Sequence, residues 1–122
     1  MTGLCILAGT KAATLAAAAF TLTWTHSVEK TEWREDWRLT PAGLGLVEAR
    51  VKGSGAGIDP PDGAVLRDGW WIYAPQVPPL PRLVLAASGA TVSGWKLCVG
   101  ETCMTLGAEA GETVIIEACG TE

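Results

Sequence analysis

One histidine, one phenylalanine and one tyrosine are all the chain holds of those residue types. Charge is sparse too, with 9 Lys and Arg against 13 Asp and Glu among 122 residues. Each shortage excludes something. With no basic stripe and a net charge of −4, the sequence offers nothing to neutralise phosphates, so neither nucleic acid nor an anionic membrane surface is expected as a partner. The longest uncharged stretch near the N-terminus, 12–25, is threonine-rich and shorter than the ~20 apolar residues a membrane helix needs, so no transmembrane segment is expected. Residues 4–19 are apolar and end in four alanines, but Lys11 interrupts them and no basic segment precedes. A cleaved signal is therefore not expected, which favours the cytoplasm. A lone histidine gives zinc a thin ligand supply, and no metal or cofactor is expected. The nucleophile elbow G-x-S-x-G is missing. Gly53, Gly55 and Gly57 fail the dinucleotide fingerprint because Ile58 stands where its third glycine belongs, and the phosphate-loop pattern is absent.

What is present is β-patterned. Apolar residues make up 48% of the chain, enough for an ordinary core, and the length suits one domain spanning 1–122. Around Phe20 the sequence alternates: Phe20, Leu22, Trp24, His26 and Val28 share one face, and threonines and Ser27 the other. That is the period of a half-buried strand. A polar turn at 29–31 leads to a returning strand with Trp33, Glu35, Trp37 and Leu39 on one face and Arg34, Asp36 and Arg38 on the other. Leu4–Ala8 reads as a short strand, and Ala12–Ala19 as the beginning of the Phe20 strand. Further strands are expected at Leu44–Val51, Ala64–Leu66, Trp70–Ala74, Arg82–Ala86, Trp95–Val99, Thr102–Leu106 and Thr113–Ala118. Turns punctuate them at Thr40-Pro41-Ala42-Gly43, Arg67-Asp68-Gly69 and Gly100-Glu101, a glycine-rich loop fills 52–63, and Pro75–Pro81 is an extended connector. The fold class is all-β: a single-domain antiparallel β-sandwich or partly open barrel of about eight to ten short strands.

Four cysteines admit three states. Cys98 and Cys103 face each other across a hairpin, and Cys5 and Cys119 lie in the first and last strands, so both pairs suit disulfides. Without a convincing export signal, buried thiols are the expected state and zinc the remotest. Bridged cysteines would instead place the chain in an oxidising compartment such as the periplasm.

Candidate chemistry is thin. His26 and Ser27 point to opposite faces of a regular strand, so the histidine does not activate its neighbour. A hydrogen-bonded core imidazole is the expected role of His26, with ligand binding as the alternative. The carboxylates Glu29, Glu32, Glu35 and Asp36 alternate with Lys30, Arg34 and Arg38, which predicts solvated ion pairing rather than a catalytic acid and base. The Gly55-Ala56-Gly57 segment reads as a wide loop or a backbone nest for an anion. Most tryptophans should fill the core. Trp70 and Trp71 must face opposite ways.

The strings HSVEKTEW and EDW, followed by VKGSGAGIDPPDGAVLRDGWW, resemble a small bacterial family known as domain of unknown function 1850. Its pattern emphasises His26, Ser27, Gly55, Ala56 and Gly57, and together with Trp24 these form the expected ligand- or partner-binding set. The resemblance implies a short β-rich protein often encoded beside TRAP-type transporters of the TAXI class. It thus implies a non-enzymatic accessory role, with a transporter subunit or a small solute as partner. The alternatives are a small hydrolase or isomerase pairing His26 with Glu35 or Glu48, and a carbohydrate- or ligand-binding β-module using exposed tryptophans.

Overall fold

A computed structural model describes residues 2–9, 11–25, 31–52, 63–75, 77–86, 94–107 and 113–120. Within them the chain forms strands β1 (Thr2–Ala8), β2 (Lys11–Ala16), β3 (Ala19–Thr25), β4 (Glu32–Thr40), β5 (Gly43–Lys52) and β6 (Val65–Arg67). They are followed by β7 (Trp70–Tyr73), β8 (Arg82–Ala86), β9 (Trp95–Val99), β10 (Thr102–Leu106) and β11 (Thr113–Gly120). Two antiparallel sheets result, a four-stranded one in the order β2-β1-β11-β8 and a seven-stranded one in the order β10-β9-β3-β4-β5-β7-β6. The all-β sandwich expected from the alternation is the fold found, and it is not closed into a barrel. Among the described residues no helix is long and apolar enough to cross a membrane.

Ala12–Ala19 departs from expectation. Lys11–Ala16 is a strand of its own, hairpinned onto β1 after the turn at Gly9, whose φ is 63°, and only Ala19 belongs to the Phe20 strand. The alternation of Ala13 and Leu15 with exposed Thr14 serves the small sheet. The chain breaks at Ala17 and Ala18 and passes to the other sheet, where the Ala18 carbonyl accepts the Leu39 N–H at 2.9 Å. No proline or glycine marks that crossing, so local punctuation could not reveal it.

Two other features set the register. In β5, Leu44 and Leu46 must share a face with Ala49 and Val51, a pattern out of phase by one residue. A β-bulge where Asp36 faces Glu48 but Trp37 faces Leu46 leaves exposed Val47 over and restores the phase. At the start of β5, Gly43 has a φ of 128°, and a Cβ there would collide with the Leu80 carbonyl. Leu44 and Leu80 exchange both backbone hydrogen bonds, at 2.7 and 2.8 Å. This joint ties the two sheets along one corner. The Asp68-Gly69 turn takes positive φ at both positions, 52° and 84°, as a two-residue type I′ hairpin requires.

The core lies between the sheets. Leu4, Ile6, Val114 and Ile116 from the small sheet pack against Phe20, Leu22, Trp37, Leu44, Leu97 and Leu106, all buried. Each sheet carries one disulfide on its outward face. Cys5 joins Cys119 and Cys98 joins Cys103, and no cysteine is free. The expectation of thiols is thereby corrected. Cys98 and Cys103 are cross-strand partners, and Cys5 and Cys119 lie on adjacent strands with their Cα atoms 5.8 Å apart. The partners are the two pairs that the strand pattern suggested; the register of the folded sheets brings each pair together.

Candidate functional site

The inner face of the seven-stranded sheet does not end with the core. Beyond Leu22 two rows of side chains cross the strands in register. One runs Leu22, Glu35, Ala49, Tyr73; the next runs Trp24, Trp33, Val51, Trp71, Leu66. Ala49 and Val51 are each only 2% exposed, yet neither belongs to the cluster that joins the sheets, nor do Trp33, Trp71 and Tyr73. Of the strands that hold these rows, β3 and β7 are rich in aromatic and β-branched residues, which suit strands.

Glu35 is the chemically distinctive member. It faces inward opposite Leu22 and accepts a hydrogen bond from Trp37 Nε1 at 3.2 Å. Burial raises its pKa above the usual carboxylate range, with the Trp37 N–H acting in the opposite sense. Burial also raises the Tyr73 pKa, and the negative charge of Glu35 adds to the rise. The expectation of solvated pairing is therefore wrong for Glu35, although the face assignment that put it between Trp33 and Trp37 already pointed inward. Asp36 does behave as expected. It takes a hydrogen bond from Thr21 Oγ1 at 2.9 Å and lies 3.5 Å from Arg34 Nε. Glu48, the other proposed catalytic carboxylate, sits on the opposite face and receives Arg50 Nε and Nη2 at 2.9 and 2.6 Å.

Two donors in the aromatic row lack acceptors. The Nε1 atoms of Trp33 and Trp71 are buried without a hydrogen-bond partner, one on each side of Val51. An unpaired buried donor costs about 1–3 kcal/mol, so this end of the sheet holds polar capacity that the fold leaves unused. Sequence alternation located the rings; nothing in it signalled the unpaired N–H groups or Tyr73 beside Glu35.

Of the expected binding set, Trp24 is described. It is half-buried, stacks on Trp33 with ring centroids 6.1 Å apart, and borders a hollow of about 350 Å³ with Thr23, Thr25, Glu32, Gly94, Lys96 and Thr105. His26, Ser27, Gly55, Ala56 and Gly57 lie outside the described residues. Trp70 and Trp71 face opposite sides, as their adjacency demands: Trp71 is inward, and Trp70 is outward with Lys52 Nζ 5.4 Å from its ring centroid. Among the described residues no three His, Cys, Asp or Glu side chains are grouped to hold a metal ion.

No curated protein and no solved structure gives a significant match to the chain. A family model does. Its span, residues 20–106, covers nearly all of the seven-stranded sheet and β8 while leaving out β1, β2 and β11. The aromatic rows and Glu35 all fall inside that span, and the chain belongs to the domain of unknown function 1850 (DUF1850) family.

Proposed function

We propose that the chain is a single, non-enzymatic binding domain whose partner docks at the aromatic end of the seven-stranded sheet. The observation that carries this reading is the pair of unpartnered indole N–H groups of Trp33 and Trp71 flanking Val51. A partner that supplies two acceptors there satisfies donors that the fold alone leaves unpaired, and aromatic rings give it apolar contact at low entropic cost. The partner is a subunit of a TRAP-type transporter of the TAXI class, or the small solute it carries, as the family resemblance implies. The two disulfides support an oxidising compartment such as the periplasm as the place of action.

Affinity capture from cells that retain the intact transporter locus tests the reading. Recovery of the membrane or solute-binding subunit, lost in Trp33→Phe and Trp71→Phe variants, is the expected result. Capture of neither subunit overturns the association, and capture indifferent to both tryptophans overturns the site.

One observation favours a second reading. A carboxylate with a raised pKa in a shielded aromatic setting suits a general acid, so Glu35 could serve a small hydrolase or isomerase with His26. Turnover of an ester or glycoside that disappears in Glu35→Gln would support it; turnover that survives the substitution removes it.

A further inference from the structure

The basic residues that look scattered along the sequence are gathered by the fold. Arg34, Arg38, Arg50, Lys52, Arg67 and Lys96 all project from the outer face of the seven-stranded sheet, as the register of their strands requires. They are six of the chain's 9 Lys and Arg. Among the described strand residues, the acidic side chains on that face are Glu32, Asp36 and Glu48. In a chain whose net charge is −4, this face therefore carries six basic side chains against three acidic ones among the described strand residues.

Within it a row crosses the strands from Lys96 through Thr23 to Arg34 and Arg50, which sit directly opposite each other. Like charges so placed repel. Each arginine is held by a carboxylate two residues away on its own strand, Arg34 by Asp36 and Arg50 by Glu48. The hold on Arg34 is incomplete, for its Nε lies 3.5 Å from Asp36 without hydrogen-bond alignment and is buried unpaired. Arg38, Lys52, Arg67 and Lys96 are exposed, and among the described residues none of them makes an ion pair. At one edge Arg50 and Arg67 share with Glu48, Val65 and Ile72 a hollow of about 370 Å³. It thus offers guanidinium groups above an apolar floor.

We infer that this outer face is a docking surface for an acidic polypeptide, which presents carboxylates to Arg34, Arg50 and Arg67 and an apolar side chain to Val65 and Ile72. Arginines outnumber lysines here, and the guanidinium fork matches carboxylates. The carboxylates already on the face set its pattern as mixed in sign. A protein surface complements such a pattern; a uniform phosphate polyanion would be repelled by Asp36 and Glu48. A seven-stranded sheet is also twisted, which fits a shaped partner better than a planar bilayer. This surface is the reverse side of the sheet from the aromatic end, and the inference holds whatever docks there.

The probe is a short synthetic peptide of alternating glutamate and threonine, titrated against the whole, oxidised chain. The expected result is salt-sensitive binding that Lys96→Glu or Arg67→Glu each weakens on the order of tenfold at low ionic strength, and less near ~0.15 M salt where the screening length is about 8 Å. Arg82→Glu, the same charge change on β8 of the other sheet, and Trp33→Phe should leave it unaltered. Thermal unfolding of each variant confirms an intact fold, since Lys96, Arg67 and Arg82 are all exposed. Absence of peptide binding, equal loss in Arg82→Glu, or preferential binding to phosphatidylglycerol vesicles or an oligonucleotide would each overturn the inference.

Discussion

Phe20 and Trp37 stack with ring centroids 6.2 Å apart at one end of the inner face, and Trp24 and Trp33 stack at 6.1 Å toward the other. Both pairs are cross-strand neighbours of β3 and β4, with their ring planes 6° apart in each case. Their surroundings differ. Phe20 and Trp37 are 3% and 4% exposed beneath Leu4, Ile6, Val114 and Ile116, whereas Trp24 and Trp33 stay half-buried and only Trp24 packs against the core. Equal local geometry thus serves two ends. Where the small sheet covers the rings they are structural; where it does not, they flank a desolvated carboxylate and unpaired indole donors. The partner layer, not the strand pattern, decides which role a ring takes.

The sharpest way to break this contrast is to loosen the covering layer. The Cys5–Cys119 bridge joins β1 to β11 across a sequence separation of 114, and a closed loop of that size stabilises by about 4.7 kcal/mol in the chain-entropy model. Replacing both cysteines by serine should lower unfolding free energy by nearly that much, measured by urea titration under oxidising conditions. The corresponding pair Cys98 and Cys103, separated by 5, should cost about 2 kcal/mol. Equal losses would mean that the small sheet does not hold the sealed end.

Next in size is a cavity at the sealed end. Leu22 is 1% exposed in the middle of the core, and Leu22→Ala should cost about 3 kcal/mol within the usual range for buried leucines. At the other end the sign should change. Trp71→Phe removes an N–H that has no acceptor while keeping most of the ring, so stability should stay level or rise by about 1 kcal/mol. A loss as large as that of Leu22→Ala would show that the indole is fully engaged in packing and would erase the distinction between the two ends.

Much of this was legible in the residues. The alternation from Phe20 to Thr25, the Trp33-Glu35-Trp37 face and the Asp68-Gly69 hairpin are local patterns, and local sterics fix them. The independence of β2 and the extra residue at Val47 were not, because each depends on which distant strand lies alongside; the two cysteine pairs were foreseen, but not that they are bridged. Glu35 shows the limit most clearly. Its face could be assigned, but its protonation behaviour depends on the rings around it, which lie on three different strands, β3, β4 and β7. The cationic face escaped notice for the same reason: Arg34, Arg50, Arg67 and Lys96 are far apart in sequence and meet only through register.

The smallest expected effect is also the most discriminating. Burial raises the Glu35 pKa in the folded chain, so the fold favours the neutral carboxyl. The stability tied to this group is therefore fully present below the unfolded glutamate value of about 4.3 and is lost as pH rises through the higher folded value. Glu35→Gln keeps an acceptor for Trp37 Nε1 and removes the titration. Below that window the variant should match the parent. Above it the variant should be the more stable, with the gap growing as pH rises through the folded value and then constant toward neutrality. Melting temperatures of both chains at a series of pH values between about 4 and 7 provide the measurement. Parallel curves would place Glu35 in water; a gap that opens with pH places it among the rings, and with it the end of the sheet that the small layer leaves uncovered.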